Sequence, residues 1–464
     1  MERFIDRVEE WTFLNEEYER EGSSLVVLYG RRRVGKTALA TEIMKGKNAL
    51  YFLVTEESEQ QNLEAFKNMV GDFCDNSLLK MAKVDQWQIP FEILLSKAED
   101  EKLLLVLDEF QYLGKSDPAF PSVFQKIWDT MLKDKNIMVI LCGSLISMME
   151  SQTLHYSSPL YGRRTGQIKL KQIPFQYYKE FFPNLDRKNQ IEYYGITGGV
   201  PKYMEMFAGE IDVFMAIEKN VLSKQSFLYD EPNFLLQREV GEVGSYFSIM
   251  RAIAAGNHKL SKIASYLGLK QTNLTRYLKT LMDLDLLKRE VPITEEIPEK
   301  SKRGLYKIKD NYIAFWFRFV YPNLSFLESG KRDHVMRKIR DHMSESHTSY
   351  VYEDVCIERL WQMNDQGPLE FVFDRAGRWW NNKEEIDIVA YESKGENIIF
   401  GECKYWKEKV GKNVLFNLER KAQEVEWKRG KRKEHFVLFG LNGFTEDLMK
   451  LTKEREDVLL VKEV

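Results

Sequence analysis

An α/β protein is what this sequence predicts, and three observations predict it. A short, β-branched apolar run, Leu25-Val26-Val27-Leu28-Tyr29, enters the glycine-rich loop Gly30-Arg31-Arg32-Arg33-Val34-Gly35-Lys36-Thr37, and a helix-forming stretch follows at 38–44. Two more apolar runs, 103–107 and 137–142, stop abruptly at Asp108-Glu109 and Gly143-Ser144. Near the C-terminus, runs 384–390 and 398–404 read as neighbouring strands ahead of a helix over 412–428. At 464 residues the chain is too long for one core, so several domains are expected. We place them at 1–240, 241–310 and 345–464, with a connecting segment at 311–344.

The loop is the first element with chemistry. Gly30 and Gly35 let backbone N–H groups turn inward around phosphate oxygens, helped by the positive end of the following helix. Arg31, Arg32, Arg33 and Val34 fill the turn. Lys36 reaches the outer phosphates, and the Thr37 hydroxyl suits Mg²⁺. ATP and Mg²⁺ are therefore the expected cofactors.

Composition excludes several classes. With 44% hydrophobic and 30% charged residues the chain is ordinary for a globular protein. No apolar run approaches the ~18 residues needed to span a bilayer, and 1–20 reads as an amphipathic helix without a signal-peptide pattern. Four scattered cysteines argue for reduced thiols in a cytosol, against a disulfide frame or zinc site. The net charge of −3 divides as −8 over 1–250, +8 over 251–345 and −3 over 346–464. A basic middle between acidic flanks suits either a nucleic-acid surface or a solvated lysine-rich face.

Downstream of the loop, Asp108 at a strand end suits Mg²⁺, and Glu109 suits a general base that polarises the attacking water. Ser144 ends a parallel run at the same sheet edge, where it contacts the γ-phosphate or water, or merely closes a turn. Arg163 and Arg164 precede the strand-like 167–170. They are either nucleotide-directed arginines, from the same or a neighbouring subunit, or surface ion-pair partners.

Together, 30–37, the Asp108-Glu109 strand, Cys142-Gly143-Ser144, Leu160-Tyr161-Gly162-Arg163-Arg164 and Gly198-Gly199-Val200-Pro201-Lys202-Tyr203 resemble the archaeal and bacterial ATPase family of the AAA+/STAND kind. The resemblance implies an ASCE-type P-loop core over 1–240. In it Ser144 takes the sensor-1 position, the Gly-Arg-Arg segment carries a finger-like arginine, and 198–203 belongs to a helical lid. A homo-oligomer is consistent with this reading.

In the basic middle, Ser261 suits an N-cap for a helix ending at Gly268, and Thr272 or Asn273 suits the cap of a longer one. Leu274, Tyr277, Leu278, Leu281 and Leu284 give the longer helix one apolar face, leaving Asn273, Arg276 and Lys279 outward. Strands at 286–291 and 305–308 then flank a loop containing Lys300, Lys302 and Arg303. The pattern is a winged helix-turn-helix. Arg276 and Lys279 would reach DNA, and Lys302 and Arg303 its backbone, unless the module docks protein instead. The aromatic run 312–319 reads as core rather than as a stacking surface.

At the C-terminus, strand alternation puts Glu402 and Lys404 on one face, opposite Cys403, and a hairpin brings Asp387 toward them. Two carboxylates and a lysine can hold a hard divalent metal and steady an attacking hydroxide. The order of helix, three strands, helix and strand resembles the PD-(D/E)XK nuclease-like core. It is also similar to the C-terminal domain that often follows the archaeal ATPase module. The resemblance implies Asp387 and Glu402 as metal ligands, Lys404 as charge stabiliser, and Glu353 or Glu358 as an outlying acid. Asp387 lacks the preceding proline of that motif, so either an active nuclease site or a relic is consistent. The expected fold is a P-loop NTPase domain with helical lid, a winged helix, and an α/β restriction-endonuclease-like domain.

Overall fold

The computed structural model describes residues 5–99, 101–210, 212–367 and 369–462. The chain divides by packing into two compact units, one of Met1–Ile173 with Val200–Lys202, the other of Pro174–Gly199 with Tyr203–Val464. Residues 1–4 of the expected N-terminal helix lie outside the described residues; the helix itself is Val8–Glu19.

The first unit is built on five parallel strands, β1 (Ser24–Tyr29), β2 (Ala49–Leu53), β3 (Leu103–Asp108), β4 (Ile137–Gly143) and β5 (Gly166–Lys169), in the order β2-β3-β4-β1-β5. Every residue of β1, β3 and β4 is buried. That explains their unbroken apolar sequences: helices cover both faces of a parallel sheet, so period-two alternation is lost. One face packs Val26, Leu28, Val106 and Ile140 against Leu39 and Ile43 of the helix Lys36–Met44. All five strands point their C-terminal ends to one edge, the ligand edge of such sheets.

The second unit begins earlier than a domain ending near residue 240 would allow. Helix Arg187–Thr197 stops at Gly198, whose φ of 58° is the left-handed cap expected there, and the next helix opens on Pro201. The segment is tied to the later chain by buried polar contacts: Asn311 donates to the Tyr194 carbonyl, and His347 Nε2 donates to that of Gly195 at 2.6 Å. The aromatic run holds its core assignment, since Tyr312, Phe315, Trp316, Phe317 and Phe319 are all buried.

Three helices, Val243–Ala254, Leu260–Leu267 and Gln271–Asp283, precede an antiparallel pair, β6 (Leu287–Glu290) and β7 (Leu305–Ile308). The helices start one or two residues before the expected caps. Lys259 and Lys270 occupy the N-cap positions without side-chain cap bonds, so Ser261, Thr272 and Asn273 lie inside the helices.

The last sheet has the order β12-β11-β10-β9-β8, from β8 (Arg375–Trp380), β9 (Glu385–Tyr391), β10 (Asn397–Lys404), β11 (Lys433–Gly440) and β12 (Val458–Val461). The hairpins β8–β9 and β9–β10 are antiparallel, and β10, β11 and β12 run parallel. The crossover helix is Lys412–Ala422, shorter than the expected 412–428; Val414, Leu415, Leu418 and Ala422 bury its inner face. Among the described residues no helix is long and apolar enough to cross a membrane.

Candidate functional site

Two sites stand at sheet edges, one in each unit. In the first, Gly35 holds φ at 98° and caps the helix Lys36–Met44, a conformation that a side chain would strain. Gly30 approaches the Leu170 backbone so closely that a Cβ there would collide with its carbonyl. Both glycines are needed to bend the loop over the end of β1. Arg7, buried at the start of the chain, braces the loop by donating to the Val34 carbonyl at 3.2 Å. Arg32 donates to the Tyr112 hydroxyl at 2.8 Å.

Lys36 is 6% exposed, and its ammonium donates to the carbonyls of Gly30 at 2.9 Å and Arg31 at 2.8 Å. Burial lowers its pKa. A buried cation whose hydrogen-bond partners are neutral carbonyls is prepared for an incoming anion. Beside it, the Thr37 hydroxyl donates to Asp108 Oδ2 at 3.0 Å, and Tyr51 donates to the same oxygen at 2.6 Å. Burial, then the Asp108 bond, pushes the Tyr51 phenol above its ordinary range, so it stays a donor. The structure thus joins the end of β3 to the loop, and the donor set of Thr37 and Asp108 fits Mg²⁺ beside a triphosphate.

Glu109 lies just past β3 with φ at 56°, uncommon for a residue with a side chain. Its carboxylate accepts from the Ser144 hydroxyl at 2.9 and 2.7 Å, from the Ser144 N–H at 3.2 Å, and from Gln111 Nε2 at 2.5 Å. Ser144 therefore touches the acid itself, a third option beyond contacting phosphate or closing a turn. Gln111 had no motif to reveal it, and neither did Tyr51 or Arg7.

The two arginines separate. Arg163 grips Asp129 through Nε at 2.9 Å and Nη2 at 2.8 Å and also donates to the Pro159 carbonyl, as a surface ion pair does. Arg164 stacks over the Tyr161 ring at 5.6 Å, and its Nη1 is buried without a hydrogen-bond partner among the described residues.

In the second unit, β9 and β10 pair in register as far as Ile388 opposite Gly401, with Asp387 and Glu402 the next residues on the two strands. On the other side of β9 the register shifts, since Gly377 faces Val389 while Trp379 faces Ile386. Asp387 and Ile388 thus share one partner position in a bulge, a device that re-aims side chains. Simple alternation did not reveal it. Asp387 accepts from the Cys403 N–H at 2.8 Å. Burial first, then the charges of Glu402 and Glu353, raises its carboxyl far above the usual range.

Glu402 is occupied differently. It accepts from Lys404 at 2.7 Å and from Lys421 at 3.3 Å. Burial, the largest influence, opposes the Lys404 ammonium, but the charge and hydrogen bond of Glu402 together with the Asp387 charge raise its pKa overall. Lys421, on the crossover helix, had no signal in the sequence. Of the two outlying acids, Glu353 is the one whose charge bears on Asp387, and it binds Arg378 at 2.7 Å. Glu358 accepts from the Gln176 N–H at 3.2 Å. Among the described residues no group of three or more His, Cys, Asp or Glu is arranged to hold a metal, so a cation here would rest on Asp387 and Glu402 and displace a lysine.

In the helix–ladder segment, Arg276, Lys279 and Lys302 are exposed. Arg303 is exposed as well, and its guanidinium binds Glu295 and reaches the Trp380 carbonyl at 3.3 Å.

Comparison with known proteins supports an ATPase domain in the first part of the chain. Residues 4–207 match an ATPase domain found predominantly in Archaea, and residues 316–429 match a family of archaeal and bacterial proteins of unknown function. A protein of Methanocaldococcus jannaschii is 38% identical over 424 residues, spanning 91% of this chain and 92% of its own length. A short ATP-binding protein of the same organism is 43% identical over 44 residues, 10% of this chain and 75% of its own. In three dimensions, the Walker-type ATPase of Pyrococcus abyssi superposes with a TM-score of 0.52 at 21% identity, covering 68% of this chain and 96% of that one. That likeness is one of fold.

Proposed function

We propose that this chain, which belongs to the archaeal ATPase family, uses ATP binding and hydrolysis to control its engagement of DNA. Bound MgATP supplies the phosphoryl group and the charge that positions it. Lys36 would leave the Gly30 and Arg31 carbonyls for the phosphates, while Thr37 and Asp108 would hold Mg²⁺. Glu109 would act as general base once freed from Ser144 and Gln111, its strained backbone keeping it at the sheet edge. Arg164 is the better candidate for meeting developing charge, from the same subunit or from a partner in a homo-oligomer. Arg163 already has a carboxylate.

DNA is the proposed partner of the 243–308 segment, read as a winged helix. The observation that carries this is a cleft of about 520 Å³ within the second unit. Lys259, Leu305 and Lys307 of that segment line one part of it, and Glu353, Arg378, Asp387 and Lys421 line the rest. A duplex held by Arg276, Lys279 and Lys302 would therefore lie beside the acids of a nuclease-like domain. Mg²⁺ held by Asp387 and Glu402 would supply a Lewis acid, and Lys404 would face the attacked phosphate. A second reading makes this domain a docking module without cleavage, and the two lysines already on Glu402 favour it.

One experiment covers both readings. Duplex binding by the full chain is measured across salt with ATP, with ADP and without nucleotide, and cleavage is assayed with Mg²⁺ or Mn²⁺. We expect binding that weakens steeply with salt, depends on nucleotide, and falls in Arg276→Ala/Lys279→Ala. Cleavage lost in Glu402→Ala would establish the nuclease, and its absence from wild type would leave the docking module. No duplex binding at low salt would refute the DNA reading.

A further inference from the structure

A second cavity, of about 200 Å³, lies inside the second unit apart from the acid cleft's carboxylates. Its walls include the end of helix Val243–Ala254, β6 and β7, the π-helical turn Trp316–Val320 and the helix Ser349–Gln366. Most of the charge around it is internally balanced. Lys288 binds Glu290 at 2.8 Å and Asp354 at 3.3 Å, and Lys307 binds Glu290 at 2.8 Å. Arg378 binds Glu290, Glu353 and Asp354 at 3.0, 2.7 and 2.8 Å. Three cations therefore meet three acids.

Arg318 is the exception. It lines the cavity from the π-helical turn, half-buried, and has neither a carboxylate nor a hydrogen-bond partner among the described residues. A half-buried guanidinium that faces a cavity and holds no anion is available to take one, and π turns are frequent at functional sites. His258 stands nearby with Nδ1 donating to the Tyr306 carbonyl at 3.0 Å, which leaves Nε2 uncommitted. Ser346 and Tyr350 add hydroxyls to the lining.

We propose that this cavity binds a phosphoryl group, gripped by the fork of Arg318. A planar carboxylate would be satisfied by the guanidinium alone. A phosphoryl group has further oxygens for a donor arriving from another wall, here the Tyr350 hydroxyl, since Ser346 Oγ already donates to the His342 carbonyl at 2.7 Å. The volume suits inorganic phosphate or a small phosphate ester and is below the ~300 Å³ at which pockets begin to take drug-sized molecules. Because β6, β7 and the helix Ser349–Gln366 all border the cavity, its ligand would stiffen the join between the basic segment and the C-terminal sheet.

The loop at 30–37 also recognises phosphate, so the test uses the full chain carrying Lys36→Ala. Calorimetric titration at fixed ionic strength compares sodium phosphate, glycerol 3-phosphate and sodium acetate. We expect saturable binding of phosphate or of the ester, the tighter of the two identifying the source, with acetate inert. Adding Arg318→Gln should weaken binding at least about tenfold, and Arg318→Lys, which keeps charge without the fork, should fall between. Should Arg318→Gln fail to fold, Arg318→Lys decides by the same comparison. No saturable phosphate binding up to roughly 10 mM, equal affinity in the Arg318 variants, or acetate binding as well as phosphate would each overturn the proposal.

Discussion

The acids at the end of β3 and those on β9 and β10 have the same chemical make-up and opposite surroundings. Asp108 and Glu109 are satisfied by neutral donors: Thr37, Tyr51, Ser144 and Gln111. The nearby cation, Lys36, is parked on carbonyls. Charge is left uncompensated there, which suits the proposed magnesium-bound polyanion. Glu402 is instead neutralised by Lys404 and Lys421, and burial, then the charges of Glu402 and Glu353, raises the Asp387 carboxyl well above the usual range. The first site is organised around a ligand and the second around itself. Damage at the first should therefore appear in rates, and damage around the second in stability.

The largest effect should come from Arg378, whose guanidinium binds three carboxylates. Arg378→Met would leave the largely buried Glu290 and Glu353, and the exposed Asp354, short of a cation. Urea unfolding should show a loss of about 3–5 kcal/mol, the scale for breaking a buried ion pair. A loss below ~1 kcal/mol would put this network in the class of surface pairs.

Acid should weaken the same unit next. His347 is buried and its pKa is held down at about 4, by burial first. The unfolded chain takes up that proton near 6.5 and the folded chain only near 4, so stability is full above 6.5 and falls as pH drops through this window. The loss should approach about 3 kcal/mol below pH 4. His347→Gln keeps a donor for the Gly195 carbonyl without titrating, and should remove that part of the pH dependence in unfolding curves. An unchanged profile would mean another group is responsible.

A smaller, purely kinetic effect should distinguish the arginines. Arg164→Ala should slow ATP turnover by about tenfold or more while sparing affinity, because the charge it would meet grows in the transition state. Arg163→Ala should cost little beyond a surface ion pair. The reverse ranking would require Arg163 to release Asp129 during the cycle.

The smallest change expected is at Lys421. Lys421→Met removes a cation that competes for Glu402, so Mn²⁺ affinity at the second site should rise severalfold, about 1 kcal/mol. Manganese binding can be followed by electron paramagnetic resonance in a Lys36→Ala background. Unchanged or weaker binding would show that Glu402 does not take the metal.

Legibility follows the same contrast. The first site could be read from its residues because each part sits on a local pattern: a glycine loop, or an apolar run ending in an acid or serine. Long buried parallel strands write themselves as continuous apolar sequence. Gln111, Tyr51 and Arg7 escaped because their roles come from tertiary proximity. At the second site Glu402 and Lys404 were legible from strand alternation and Asp387 from the hairpin, but the β9 bulge and Lys421 were not, since a bulge is set by the partner strand's register. The helix starts at Leu260 and Gln271 differed because packing of Ile263, Leu274 and Leu278 fixed the helices while the capping side chains stayed unused.

Glu109 is the proposed base of the nucleotide site, and Glu109→Gln separates its part in hydrolysis from nucleotide binding. Equilibrium ATP binding and steady-state hydrolysis are measured side by side for wild type and this variant. The amide keeps the shape and can still bond Ser144 Oγ, so affinity should stay within a few-fold while turnover falls at least ~100-fold, the scale of general-base catalysis. Turnover near the wild-type rate with intact binding would contradict the account.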